Sequence, residues 1–426
     1  MKKEGAFWPR SAVYAAVGTV LVFAAQLLRL PPLRDAATGG PLWEFALEFP
    51  LWHLLTTPFS AFADWVTFNG LSQDKVLLAW LLAAYWAFWL KRRLRREGFP
   101  APRQESRLRA AGRALGGYLL YLIVVAGFLA WATLSPRPMA RLRAPHPDDL
   151  VLDFHSHTSR SWDGRRSFTP RANMAWHAAG GFSAAFVTDH NTVPGSAEAR
   201  QISREEHGKT GYRSLFGEEL SLDRCHIVVL SPKEWIDNRP YDGSLEGLQR
   251  LLGECGTKHG ALCVLSLPEY WLRHWERVGQ LADWGAQGVE IVNSAPKGLD
   301  FPAGKKREII ELCRRKNLFM VGATDNHGWS RAVLVWNVMR VPGHSAMGPD
   351  ELEKTVKETL LREGFGAVRV VERVRREPAG VLSLAFDPLL GLWTMARTFT
   401  LLQAAVSAAW FWLLAALFWK LPKIPD

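Results

Sequence analysis

The stretch DFHSHTSRSWDG, residues 153–164, places two histidines one residue apart at the end of the apolar run LVLDF. On a strand, residues i and i+2 point to the same face. His155 and His157 therefore present two imidazoles side by side. Neutral imidazole is a common metal ligand, so a pair of them on one face asks for a shared ion.

Working outward, the same pattern recurs: a short aliphatic run that ends, or begins, on a polar residue. AAFVT leads to Asp189 and His190, and SLFG leads to Glu218 and Glu219. HIVVL opens on His226, GVEIVN holds Glu290, and LFMVGAT runs into Asp325 and His327. Helix-like segments lie between them, such as TPRANMAWHAAG, GSAEARQISREEHG and KKREIIELCRRK. Strand and helix taking turns predicts an α/β fold with a largely parallel sheet. In an α/β barrel the C-terminal ends of the strands meet at one mouth, which would gather these scattered residues. Imidazole and carboxylate are the donor set of zinc, manganese or iron, and there are enough here for two or three ions. His146, His177, His207, His259 and His274 fall in linker or helix-like positions and read as surface or packing residues. The four cysteines form no CxxC pair, which argues against a cysteine zinc site.

The flanks differ. Stretches 11–28, 114–134 and 398–419 carry no charge and are near bilayer-spanning length. A shorter one, 76–90, is bounded by Lys75 and Lys91, whose stems can snorkel. The expected organisation is a membrane region over 1–134, with spans at about 11–28, 72–90 and 114–134 and a basic loop at 91–113. A linker at 135–147, a barrel at 148–372, a linker at 373–397 and a C-terminal span at 398–419 complete it. Residues 43–69, rich in Trp and Phe, read as a pair of interfacial helices.

The net charge of +11 is concentrated in 91–113. A basic block can serve nucleic acid. Beside apolar spans it reads instead as a cytoplasmic loop obeying the positive-inside bias, so no nucleic-acid partner is expected. Lys2, Lys3, Arg10, Lys420 and Lys423 fit the same side. The reading is a multi-pass inner or plasma membrane protein whose barrel lies on the non-cytoplasmic side. The apolar stretches 11–28, 76–90, 114–134 and 398–419 carry no internal charge that would line a polar path, which speaks against a transporter.

The motifs HSHTSRSWDG, FVTDHNTV, GEELS, CHIVVL, GVEIVNS and GATDNHG, taken together, resemble the polymerase and histidinol phosphatase (PHP) domain family. The likeness covers about 145–372, and LLREGFGAV resembles the family's closing helix. It implies a distorted (β/α)7 barrel, here flanked by transmembrane α-helices, and a metal-dependent phosphoesterase. The resemblance places His155, His157, Glu219 and Asp325 around one ion and its catalytic water, with Glu219 bridging to a second ion held by His226. Asp163, His190 and His327 would hold a third. Where the family carries His-Pro, this chain has Leu267 before Pro268, so the second site has one ligand fewer. Arg160 and Arg165 are candidates for contacting the substrate phosphate. The expected partners are the lipid bilayer and a small phosphorylated substrate. A non-catalytic metal- or ligand-binding module on a membrane anchor is the alternative.

Overall fold

The computed structural model describes residues 10–96, 107–222, 225–242, 244–269, 271 and 277–420. Of the basic loop expected at 91–113, residues 97–106 lie outside the described residues, as does His274, while 91–96 and 107–113 are helical.

Among the described residues, twelve strands form in chain order: β1 (Leu33–Asp35), β2 (Ala46–Glu48), β3 (Arg141–Arg143), β4 (Asp149–Asp153), β5 (Ala184–Val187), β6 (Arg213–Leu222), β7 (Cys225–Leu230), β8 (Leu262–Ser266), β9 (Gly288–Asn293), β10 (Phe319–Ala323), β11 (Val335–Arg340) and β12 (Arg369–Arg373). Ten of them make one curled sheet in the order β1-β12-β11-β4-β5-β6-β7-β8-β9-β10, while β2 and β3 pair separately. Strands β4, β5, β6, β8, β9, β10 and β12 run one way, and β7, β11 and β1 run against them. The central strands are aliphatic on both faces, as strands covered by helices must be. Leu150, Leu152, Phe154, Phe186, Ile227, Val264 and Val321 all lie in one buried core.

The sheet corrects the expected seven-stranded barrel in two ways. It recruits β1 from the segment assigned to the membrane region, pairing Leu33 with Arg373. It also lacks a backbone ladder between β10 and β11. The register of β10 on β9 shifts between Val321 and Gly322, and a Cβ on Gly322 would collide with Val335 and Val370. Here the Asn337 amide takes over. Its Nδ2 donates to Gly322 O (2.7 Å) and Leu152 O (3.1 Å), and its Oδ1 accepts from Gly322 N (2.7 Å). At the far end of β10 the chain meets β4 again, with Asp325 N donating to His155 O at 2.9 Å and His157 N to Asn326 O at 3.2 Å.

Both expected linkers are structured. Residues 135–147 contribute β3, and 373–397 contain helices Val381–Ala385 and Asp387–Arg397. Within 43–69 the helices Leu51–Leu55 and Phe59–Thr67 form. Buried carboxylates tie these pieces to the sheet. Asp64 meets His53 (3.1 Å), Arg137 (2.9 Å) and Arg373 (3.0 Å). Glu372 meets Arg34 (3.0 Å), Arg375 (3.3 Å) and Lys306 (3.5 Å).

Among the described helices, two are long and apolar enough to cross a membrane by length and composition: Leu108–Leu134 and Leu401–Phe418. The apolar helix Ser11–Leu27 is shorter. Helix Leu71–Arg96 is long, but charges at Asp74, Lys75 and from Lys91 onward leave it without such a window. The helices pack in pairs. Gly18 of helix Arg10–Leu27 lets the Phe411 ring of helix Leu401–Lys420 approach to 2.9 Å of where a Cβ would sit. Tyr85 Oη donates to Ala114 O (2.7 Å) and Tyr121 Oη to Leu81 O (2.8 Å), joining Leu71–Arg96 to Arg107–Leu134.

Candidate metal centre

Four side chains from three strand ends converge at the mouth of the sheet. His155 Nε2 lies 3.0 Å from His157 Nε2, 3.1 Å from Glu219 Oε2 and 3.4 Å from Asp325 Oδ1. His157 Nε2 lies 3.2 Å from Glu219 Oε2 and 3.1 Å from Asp325 Oδ1. A tetrahedral zinc held at 2.0–2.1 Å sets its ligands about 3.3 Å apart, so these five separations are those of a ligand shell. Hydrogen bonding alone does not satisfy the arrangement. Glu219 Oε1, Glu219 Oε2 and Asp325 Oδ1 are buried and lack hydrogen-bond partners, although imidazole nitrogens surround them. Buried acceptors facing lone pairs cost free energy unless a cation lies between them. The donor set fits a divalent ion.

Glu219 is the hub. Its Oε2 also lies 3.0 Å from His190 Nδ1, and its Oε1 lies 2.7 Å from His226 Nδ1. One carboxylate thus faces two positions, as a bridging ligand does. His190, Glu219 and His226 form a second potential ligand group. A third triangle joins Asp163 Oδ2 to His327 Nε2 (3.2 Å) and His190 Nε2 (3.4 Å), with the two ring nitrogens 3.5 Å apart. All eight residues expected as ligands, His155, His157, Asp163, His190, Glu219, His226, Asp325 and His327, are therefore within one connected cluster.

Strand alternation explains the choice between the two glutamates. Adjacent residues on β6 point to opposite faces. Glu219 enters the cluster, and Glu218 turns away to accept from Ile236 N at 2.8 Å. Burial pushes the Glu218 carboxyl up to about 8. The backbone fixes His190 to Glu219 as well, with Asn191 N donating to Glu219 O at 2.7 Å. Asp325 sits at φ 47°, in the left-handed region that a non-glycine residue rarely adopts. Strain of this kind concentrates at functional sites.

Glu290 has a role that strand-end position alone did not reveal. Its Oε1 lies 2.6 Å from His155 Nδ1, and its Oε2 accepts from Ser266 Oγ (2.7 Å) and Asn293 Nδ2 (3.1 Å). A carboxylate behind a ligating histidine fixes the tautomer, so that Nε2 faces the ion. Asp189 supports the neighbouring loop in the same way, accepting from Thr158 N (2.6 Å) and Thr158 Oγ1 (2.7 Å). His177 is a buried packing residue, 3.0 Å from Asp153 Oδ2.

Charge within the cluster is balanced by proximity. Burial disfavours the charged His155 ring, but Glu219, Asp325 and Glu290 outweigh it and raise its pKa well above the usual value. Burial also opposes the charged form of Glu219, yet His155, His226 and His190 hold it well below the carboxylate range. His327 rises to about 9, because Asp163 and Asp325 override its burial. His157, buried and beside His327, is lowered.

Leu267, in the position where the resemblance expects a ligand, is buried in the core. Two residues on, burial and the Asp325 charge push Glu269 up to about 7, with His226, Glu219 and Lys297 also acting on it. The two arginines expected at the substrate are engaged elsewhere. Arg160 pairs with Glu198 at 2.8 Å. Arg165 Nη1 donates to Leu134 O at 3.3 Å, and its guanidinium stacks on Trp329.

No known family model matches the chain, and no curated protein matches it. Among solved structures, a protein assigned as a metal-dependent phosphoesterase from Bifidobacterium adolescentis is 16% identical over 50% of this chain and 96% of its own, with a TM-score of 0.35. An amidohydrolase from Chromobacterium violaceum is 16% identical over 48% of this chain and 96% of its own, with a TM-score of 0.33. A lesion-specific endonuclease from Pyrococcus furiosus is 13% identical over 48% of this chain and 55% of its own, with a TM-score of 0.34.

Proposed function

We propose that the chain is a membrane-anchored, metal-dependent phosphoesterase of the PHP type, hydrolysing a phosphomonoester or nucleotide-type substrate. The observation that carries this reading is the convergence of His155, His157, Glu219 and Asp325, with the Glu219 and Asp325 oxygens buried and unpartnered. Divalent zinc, manganese or iron, two or three per chain, would supply an acidified water and offset the charge of the phosphoryl oxygens. The protein's own part is to hold and aim. Glu290 keeps the His155 Nδ1 proton on the far side of the ring, so that Nε2 offers its lone pair. Glu219 stays ionised with one oxygen directed at each of two positions. His226 and Glu219 mark the second position, with Glu269 the carboxyl beyond Leu267 that responds to both.

The topology belongs to the same proposal. Four helices span, and the barrel lies outside the cytoplasm. The barrel-side ends of the helices are tied to one another or to the sheet's loops: Leu30 N donates to Arg397 O between the first and last helices, Leu71 N to Pro296 O, and Arg331 Nη2 to Leu134 O. The opposite ends carry Arg10, Lys91 to Arg96, Arg107 and Lys420, a distribution that favours the cytoplasmic face for that side. The buried Cys255–Cys263 disulfide is at home in an oxidising compartment.

The test is metal content together with turnover of p-nitrophenyl phosphate and a nucleotide panel, on full-length protein in detergent, beside His157→Ala. Two or more ions per chain, with turnover lost in the variant, support the enzyme. One ion or none, with no turnover above background under added manganese or zinc, overturns it in favour of a binding module.

A further inference from the structure

We propose that the mouth of the metal cluster faces the bilayer surface, and that its substrate is a phosphoester headgroup carried by an amphiphile in the adjacent leaflet. The substrate half of this inference rests on the phosphoesterase reading above.

The argument begins with strand direction. The cluster lies at the C-terminal ends of β4, β6 and β10, and the helices attach at that same end. Helix Leu71–Arg96 starts on the loop after β9: Leu71 N donates to Pro296 O (3.0 Å), and Asp300 Oδ2 accepts from Ser72 N (3.1 Å) and Ser72 Oγ (3.0 Å). Helix Arg107–Leu134 ends against the loops after β4 and β10, where Leu134 O accepts from Arg165 Nη1 (3.3 Å) and Arg331 Nη2 (2.9 Å). From the C-terminal end of β12, which runs parallel to β4, the chain passes through helices Val381–Ala385 and Asp387–Arg397 to the C-terminal helix. Three separate attachments thus bring the membrane to the open end of the site. The opposite end of the sheet, around Ser345, carries none of them.

These attachments touch the metal loops themselves. Arg165 lies two residues after Asp163, and its N donates to His327 O at 2.9 Å. Arg331 lies four residues after His327. One short loop therefore separates a ligand from the end of an apolar helix.

The same rim exposes three large aromatics that a soluble surface does not favour. Trp162, beside Asp163, is 82% exposed, and its ring lies 6.0 Å from that of His190. Trp329, two residues after His327, is 50% exposed. Trp235 is 46% exposed and donates to Asn191 O, next to His190. Indoles of this kind seat at the headgroup level of a bilayer, with the ring in the apolar margin and the N–H wet. Arg166 beside them adds positive charge, which suits a phosphorylated surface. A phosphate headgroup could reach the cluster from the leaflet without leaving the interface.

The experiment uses the full chain in nanodiscs. An environment-sensitive fluorophore is placed through Trp162→Cys or Trp329→Cys, with Ser345→Cys as the far-end control. The native thiols do not compete, since Cys225 and Cys313 are buried and Cys255 and Cys263 are bonded to each other. Nitroxide-bearing lipids should quench the probes at 162 and 329 but not at 345. In parallel, phosphate release is compared between long-chain phosphatidic acid in the disc and its short-chain soluble analogue. The bilayer-borne form should be favoured about 10-fold or more in kcat/KM, because membrane confinement raises the effective concentration. Equal quenching at all three positions, or none, overturns the docked mouth whatever the turnover. Quenching with turnover of only the soluble analogue overturns the lipid substrate. Quenching at 162 and 329 with no turnover of any phosphoester upholds the placement and overturns the hydrolytic reading instead.

Discussion

Glu290→Gln separates a positioned metal site from a chance collection of histidines. The carboxylate accepts from three donors at once: His155 Nδ1 (2.6 Å), Ser266 Oγ (2.7 Å) and Asn293 Nδ2 (3.1 Å). An amide of the same shape has only one oxygen to offer. If that oxygen faces His155, the new NH2 group points at the Asn293 amide, donor against donor. If the amide flips, its NH2 group meets His155 Nδ1, and the ring must move its proton to Nε2, the atom that faces the cluster. Either arrangement weakens His155 as a ligand. Loss of such a supporting partner costs metal affinity about 10–100-fold, or about 1.4–2.7 kcal/mol at 1.36 per decade.

Competition against a chromophoric chelator, on the full chain in detergent, measures this directly. Glu254→Gln is the control, since its carboxylate pairs with Lys258 at 2.7 Å on the surface. Thermal melts of both variants without metal show whether folding is intact. A Glu290→Gln protein that folds normally and binds zinc or manganese within twofold of the parent would refute the reasoning. In that case the 2.6 Å contact to His155 would be packing without consequence for the ligand.

Other outcomes follow from the same structure. Burial opposes the ionised Glu372, but Lys306, Arg34 and Arg375 depress its pKa from 4.5 to about 2. Its contribution is present above pH 4.5 and is lost as pH falls toward 2, about 3 kcal/mol in all; Glu372→Gln should flatten that acid limb in melts across pH, and an unchanged slope argues against the network. Asn337→Leu strands Gly322 N–H, Gly322 C=O and Leu152 C=O, and should cost about 3 kcal/mol. The melting temperature should drop, and metal affinity with it, because β10 carries Asp325; a neutral result would mean the sheet closes by other contacts. His327, raised to about 9, is protonated at neutral pH and must release that proton to bind an ion. Affinity at the third position should therefore rise about tenfold per pH unit up to about pH 9, and a flat profile in isothermal titration would count against His327 as a ligand.

Most of the candidate ligand residues were legible because they follow or open a run such as LVLDF, AAFVT or HIVVL, whose aliphatic pattern reports a buried strand; Asp163, in the loop after β4, is the exception. Strand ends then locate the side chains without any knowledge of contacts. The supporting residues were less legible. Nothing in GVEIVN says that Glu290 will stand behind His155, because that contact joins residues 135 positions apart. Asn337 in VWNVMR resembles any polar residue on a strand, and its closing role depends on a register shift in a different strand. Strand β1 is three residues between prolines and a turn, too short to show a period. The helices inside 373–397 were hidden for another reason. Pro378, Gly380 and Pro388 punctuate the stretch, and its amphipathic runs are brief.

The segments flanking 148–372 decide whether the barrel can stand alone. Arg34 reaches Glu372 from β1, and Arg373 reaches Asp64 from β12, so the carboxylate and guanidinium at the end of β12 are neutralised by residues outside 148–372. Such buried pairs add little net stability over apolar packing, yet breaking one by removing a partner costs about 3–5 kcal/mol. A fragment of 148–372 loses Arg34 and Arg375 from Glu372 and keeps only Lys306 at 3.5 Å; it also ends before Arg373, the residue that ties β12 to Asp64. It also loses β1, whose Leu33 is fully buried. Against a total stability of about 5–15 kcal/mol for a typical domain, a buried carboxylate stripped of two partners together with a missing edge strand is decisive. The fragment is expected to aggregate or melt below the full chain, while one that also carries residues 29–70 and 373–397 should recover. A soluble, cooperatively melting 148–372 fragment with the metal content of the whole protein would show that the flanking segments merely lie on the barrel and do not complete it.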